Sequence, residues 1–197
     1  MHGQVVSLDV TAPIWERFFT VAPLVLVGTR EEDGSYDLAP KHMATPMGWQ
    51  NYFGFICTPR HRTYHNVWRE RAFTVSYPRP TQVVLASLAA SPRIDDAKPV
   101  LGALPTFPAR LIDGVFIEDG YLFLECELDR IIDDFGENSL VTGKIVAAHL
   151  QESAMRLSDR ADEELLSESP LLVYLAPGRF AEVREGLAFP YPIGFSR

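Results

Sequence analysis

The residues best equipped for chemistry stand together in Arg60-His61-Arg62-Thr63, just after Thr58-Pro59. They are cationic or hydroxylic, and arginine grips carboxylate and phosphate through a rigid fork of N–H groups. From Thr63 to Glu70, Tyr64, Val67 and Trp68 recur at three and four residues, which predicts a short helix with those three on one face. A helix start brings unpaired backbone N–H groups and a positive dipole end. Two arginines, a threonine hydroxyl and a helix entry make a corner suited to an anion, above all a phosphate. The competing reading is that Arg60 and Arg62 are solvated surface charges, the usual fate of arginine. His61 and His65 read as surface or capping residues.

Two strands must hold that corner. Tyr52 to Cys57, rich in aromatic and β-branched residues, leads into it, and Phe73 to Tyr77 follows the helix. Upstream, Leu24 to Thr29 is a strand, Asp33-Gly34 is a tight-hairpin pair, and Tyr36 to Ala39 begins the return. Pro40 and Pro46 keep the segment between them in a loop or at a sheet edge. Pro13 to Phe19 predicts a turn of helix whose aromatics pack on the barrel. Thr81 to Ala90 is helix-compatible, with Thr81 as N-cap, and Ser91 to Pro108 is an irregular connection.

Strands then return at Ala109 to Ile112, Val115 to Glu118 and Tyr121 to Leu128, with Asp119-Gly120 as another hairpin signal. The alternation of Leu122, Leu124, Cys126 and Leu128 with Phe123, Glu125 and Glu127 predicts a half-exposed strand. Asp133 to Asn138 is a polar turn, and Leu140 to His149 is a long strand. Leu171 to Leu175 and Phe180 to Val183 form a hairpin about Pro177-Gly178. Many strands with few helices point to an antiparallel barrel.

Composition narrows the function. The 197 residues suit one domain. A net charge of −8 argues against general nucleic-acid binding and makes the arginine corner a local feature. Two cysteines form no disulfide framework and no zinc spacing. No basic-then-apolar leader opens the sequence, and no apolar run is long enough to span a membrane, so a soluble cytoplasmic protein is expected. Asp95-Asp96 and the cluster from Asp159 to Glu164 read as solvated faces. The aromatic tail from Gly186 to Arg197 suggests cover by a partner subunit.

Taken in order, several motifs resemble the flavin reductase-like family. They are Pro23 to Thr29, Asp33-Gly34, Asp37-Leu38-Ala39-Pro40, Pro59 to Thr63 with Asn66-Val67, and Phe73 to Ser76. The series continues through Leu124 to Cys126, Thr142 to His149 and Leu171 to Tyr174. The resemblance covers about 21–183 by this ordered reading. It implies a mainly β fold, the FMN-binding split β-barrel (a Greek-key antiparallel barrel with a few helices), in one domain over 1–197. It also implies a homodimer with the flavin at the subunit interface.

By the same resemblance, Lys41, His42, Met43, Ala44 and Thr45 lie along the isoalloxazine ring and ribityl chain. Thr58, Arg60, Arg62, Thr63 and Asn66 hold the phosphate. Cys57 reads as a buried strand residue whose place before Thr58 brings it near the cofactor. Asp37 stands where the family usually has Asn, a change a turn accepts. His42 stands where Ser or Thr is common, and imidazole can stack or protonate. The implied cofactor is FMN, with FAD as the alternative, and the implied electron donor is NADH or NADPH. No side chain is assigned to catalysis. The alternative function is a flavin-bound electron-transfer protein or a redox enzyme acting on another substrate, without rapid NADH or NADPH oxidation. Behind it stand a pyridoxamine-phosphate-oxidase-like enzyme, none of whose motifs is found, and a binding module with no redox role.

Overall fold

The computed structural model describes residues 3–94, 98–157 and 160–194. Asp95-Asp96 and Asp159, expected to be solvated, lie outside the described residues. In chain order come β1 (Thr20–Pro23), β2 (Val25–Arg30), β3 (Tyr36–Lys41), β4 (Ala44–Pro46), β5 (Tyr52–Cys57), α1 (Arg62–Glu70) and β6 (Ala72–Tyr77). Then follow α2 (Val83–Leu88), β7 (Thr106–Pro108), β8 (Val115–Ile117), β9 (Leu122–Phe135) and β10 (Asn138–Leu150). The run closes with α3 (Asp162–Glu168), β11 (Leu171–Ala176) and β12 (Arg179–Val183).

A curled antiparallel sheet carries the fold, in the strand order β3-β2-β6-β9-β10-β5-β4. This is the mainly β, split-barrel architecture the sequence implied. β3 and β4 are the two edges, so Pro40 and Pro46 sit where a missing N–H breaks no interior ladder. The hairpin between β2 and β3 turns as expected: Gly34 has φ +86, and the Asp33 carboxylate accepts the Ser35 N–H at 2.9 Å. β1, β11 and β12 form a second sheet, and β7 with β8 a third.

The large sheet is buried on both faces. Val25, Val27, Phe53, Phe55, Phe73, Val75 and Cys126 pack on one side. Leu26, Leu38, Ala86, Ala89, Val115 and Ile117 pack on the other. β9 is therefore not the half-exposed strand its alternation predicted, since Phe123 and Glu125 are buried along with Leu124 and Cys126. Gly28 leaves no room for a side chain: a Cβ there would lie 2.2 Å from the hydroxyl of Thr74, its partner on β6, and 2.7 Å from the Val115 carbonyl of β8.

Other local expectations change for physical reasons. Residues 109–112 are a loop, because the N–H groups of Arg110, Leu111 and Ile112 donate to the Glu125 carboxylate instead of to a strand. Asp119-Gly120 turns the chain, with Asp119 at φ +58, but joins different sheets, since β8 pairs with β7. Thr81 does not cap α2. A turn of 3-10 helix at Pro80–Gln82 precedes it, and the Gln82 side chain accepts the Arg79 N–H at 2.9 Å. Pro13 to Phe19 makes one turn, and Trp15, Phe18 and Phe19 are exposed instead of packed on the barrel.

Candidate functional site

β5 ends at Cys57, and α1 begins five residues later. Between them the chain folds back on itself: the His61 N–H donates to the Thr58 carbonyl at 3.0 Å, and the Arg60 N–H to the Thr58 hydroxyl at 3.4 Å. His61 is the N-cap residue of α1 in extended conformation, and its side chain makes no capping bond. The first turn of α1 holds no acidic residue. Its N–H groups and dipole are thus not offset by a local carboxylate, which suits an incoming anion.

Packing fixes the direction in which α1 presents its residues. Val67 is wholly buried and Tyr64 packs on the same core cluster. Burying a valine side chain stabilises by about 1.5–3 kcal/mol, enough to set the helix's rotation. Trp68 does not share that face, as the spacing had suggested. It is exposed, and the Arg71 guanidinium lies 5.6 Å from its ring centroid. Thr63 and Asn66, both buried, line a cleft that runs along the helix.

This cleft has a volume of ≈ 840 Å³. One wall is residues 60–63 with Asn66 and Arg69, the floor is the β3 edge from Asp37 to Lys41, and the other wall is residues 89–93 with Lys98. Of the predicted site residues, Lys41, Arg60, Arg62, Thr63 and Asn66 meet here. Six cationic side chains line it against two carboxylates, Glu32 and Asp37. That is a local reversal of sign on a chain of net charge −8.

Much of this charge is already matched. Asp37 is not a turn residue but a buried strand residue, with its carboxylate 3.0 Å from the Lys98 ammonium and 3.3 Å from Arg93. Arg93 also pairs with Glu31, Arg69 with Glu70, and Arg60 at the rim with Glu137 at 2.5 Å. Lys41 instead donates to the Cys57 sulfur at 3.5 Å. Burial pushes the Cys57 thiol up despite the pull of Lys41, so the sulfur is neutral at pH 7.

The remaining predicted residues fall outside the cleft lining. The His42 ring stacks on Tyr174 of β11 at 4.5 Å between centroids, which pins this stretch to the second sheet. Burial, then Lys41, lowers its pKa and keeps the ring neutral at pH 7. Met43 and Thr45 are exposed, and Ala44 is a buried β4 residue. Thr58 is half-buried behind Arg60. His61 does line the cleft, where burial, then Lys41 and Arg60, lower its pKa. Sequence reasoning missed Arg69, Arg93 and Lys98, which belong to no motif and reach the site only through folding.

Asn66 is fully buried, its Nδ2 donates to the Thr29 hydroxyl at 3.1 Å, and its Oδ1 has no hydrogen-bond partner among the described residues. A buried polar atom without a partner costs about 1–3 kcal/mol, a cost this helix carries beside the cleft. Among the described residues, no three His, Cys, Asp or Glu side chains converge to hold a metal ion. No helix among them is long and apolar enough to cross a membrane.

A split barrel with a cationic cleft at an uncapped helix entry has the charge and donors to suit an anionic ligand. The comparison with known families gives the protein its class: the model of the flavin reductase like domain matches residues 18–179, and the chain belongs to that family. Its members are oxidoreductases, and the chain's role is a flavin-related redox one.

Solved structures agree on the fold. The chain is similar to 2-nitrobenzoate 2-nitroreductase of Pseudomonas fluorescens, with a TM-score of 0.78 and 21% identity over 100% of this chain and 99% of that one. It is also similar to flavoredoxin from Methanosarcina acetivorans, with a TM-score of 0.75 and 17% identity over 98% and 97%. Nitrilotriacetate monooxygenase component B from Bacillus cereus matches with a TM-score of 0.80 and 16% identity over 95% and 100%.

Proposed function

We propose that this protein is an FMN-dependent oxidoreductase that reduces flavin at the expense of NADH or NADPH, working as a cytoplasmic homodimer. The observation that carries the reading is the cleft at the start of α1, with its six cations around a helix entry that has no side-chain cap and no acidic residue in its first turn. These residues fit a flavin phosphate: Arg60, Arg62 and Thr63 supply donors from side chains, and the uncapped helix start supplies them from the backbone. When bound, FMN supplies the chemistry by accepting a hydride and passing electrons onward.

The chain's own part is to hold and orient. Lys41, at the end of β3, brings a positive charge beside the corner, and the neutral Cys57 sulfur leaves that charge available. The stack of His42 on Tyr174 steadies the stretch from His42 to Thr45, which would lie along the ring and ribityl chain. Because the His42 imidazole is neutral at pH 7, it can offer a hydrogen bond there without adding charge.

Absorbance at the flavin bands, in the purified protein or after adding FMN, is the first expected result. Stopped-flow mixing of the holoprotein with NADH and with NADPH should then bleach those bands on a catalytic timescale. If neither nucleotide does so, the reductase reading fails. An electron carrier, in keeping with the likeness to flavoredoxin, takes its place.

A further inference from the structure

A second cavity, of ≈ 720 Å³, adjoins the cleft. Glu32, Arg62, Arg93 and Lys98 line both, so the two spaces meet at a border of three cations and one carboxylate. Beyond that border the second lining changes character. Among the described residues it holds no further lysine or arginine, and Tyr36, Leu38, Leu101 and Val115 give it an apolar wall. Tyr36 is fixed by its hydroxyl, which donates to Asp113. The two carboxylates there are engaged, Glu31 with Arg93 and Asp33 with Ser35.

The strand β3 relates the two spaces. Tyr36 and Leu38, which line the second cavity, alternate with Asp37, Ala39 and Lys41, which line the first, so the cavities flank opposite faces of β3. Because β3 is a sheet edge, a ligand can pass around it without breaking a ladder. Lys98 stands at the crossing, donating to the Asp37 carboxylate at 3.0 Å and to the Leu38 carbonyl at 3.1 Å. Each space alone falls within the roughly 300–1,000 Å³ of a complete small-molecule site.

We infer that the second cavity is a nucleoside site: it takes the adenosine 5′-phosphate end of a dinucleotide whose other end lies in the first cleft. Phosphates meet the border of Arg62, Arg93 and Lys98, and the base lies against Tyr36 and Leu101. A nucleoside phosphate is anionic at one end and flat and largely apolar at the other, the same gradient as the cavity. Adenosine 5′-phosphate is the end that FAD and NADH share. The inference rests on the flavin and nicotinamide reading proposed above.

Two variants probe the cavity. A Cβ at Gly102, on its lining, meets no atom within 4 Å, so Gly102→Trp can narrow the space without disturbing the fold. Tyr36→Leu removes the aromatic face and keeps apolar bulk. If FAD is the source, fluorescence titration should give it about tenfold higher affinity than FMN, the order expected for stacking one base. If the donor is the source, calorimetry should show NAD⁺ binding the FMN-loaded protein about tenfold more tightly than nicotinamide mononucleotide. Whichever advantage is found should fall to about twofold or less in both variants, with FMN affinity within about twofold of wild type. Absence of both advantages in wild type, or an advantage that either variant leaves intact, overturns the inference. ADP separates this outcome from failure of the flavin reading. ADP binding to flavin-free protein, lost in both variants, keeps the cavity as a nucleoside site even where no flavin binds. ADP binding that the variants leave unchanged, or none at millimolar concentration, removes the site.

Discussion

At the scale of residues, the anion corner was readable because its parts are consecutive. Arg60, Arg62 and Thr63 lie within four positions, and the helix they introduce shows itself in the spacing of Tyr64 and Val67. Arg60 is well exposed and its partner Glu137 sits at the rim, so that ion pair contributes only ~0–1 kcal/mol and yields easily to a phosphate. Replacing Arg60 and Arg62 together by Ala should therefore expose the full cost of losing charge-assisted bonds, about 1.5–3 kcal/mol each. Titration calorimetry should show FMN affinity falling at least about tenfold, with riboflavin affinity nearly unchanged. Equal losses for both flavins would remove the phosphate role. Thr29, Arg93 and Lys98 had no such signal, since each meets α1 or β3 only across the fold.

At the scale of elements, Glu125 shows how one side chain reshapes a segment. It sits on β9 with no exposed surface, and its carboxylate accepts N–H groups of Arg110, Leu111 and Ile112 at 3.0, 2.6 and 3.0 Å. His149 of β10 lies 2.8 Å from it. Burial raises the carboxyl's pKa, but the bonds from His149 and the three amides outweigh it and hold the pKa below the usual value. A depressed pKa contributes stability that is present above the unfolded carboxyl's pKa, ~4.3, and is lost as pH falls through the folded value. Glu125→Gln should remove the charge at all pH values. The expected cost in urea unfolding at pH 7 is about 1.5–3 kcal/mol, shrinking toward zero in acid. An equal cost at pH 7 and at pH 3 would show that only shape matters there.

At the scale of the whole molecule, large apolar side chains collect in two stretches outside the main sheet. Val5, Val6, Val10, Trp15 and Phe19 are exposed on the lead-in, and Leu187, Phe189, Tyr191 and Ile193 on the tail. Exposed apolar surface on this scale calls for cover, and a second copy of the chain is the proposed one. Light scattering behind a sizing column should give twice the 22.1 kDa chain mass. Leu187→Asp with Phe189→Asp should shift the protein toward monomer if the tail lies in the interface. A stable wild-type monomer at micromolar concentration would remove the dimer.

The sequence by itself determined whatever depends on neighbours along the chain. The Asp33-Gly34 hairpin, the strands flanking α1, the edge placement imposed by Pro40 and Pro46, and the grouping of Arg60, Arg62 and Thr63 at a helix entry all follow from local backbone rules. Tertiary structure decided what depends on residues far apart. The alternation in β9 could not reveal that both faces of its sheet are covered, because two distinct clusters supply that cover. The loop at 109–112 could not be read as a loop, because Glu125 lies more than ten positions away and draws its amides off any ladder. Asp37 looked like a turn residue until Lys98 and Arg93 arrived across the cleft to neutralise a carboxylate that burial would otherwise penalise. Periodicity and turn chemistry are short-range properties, whereas burial and charge pairing are settled only when the sheet closes.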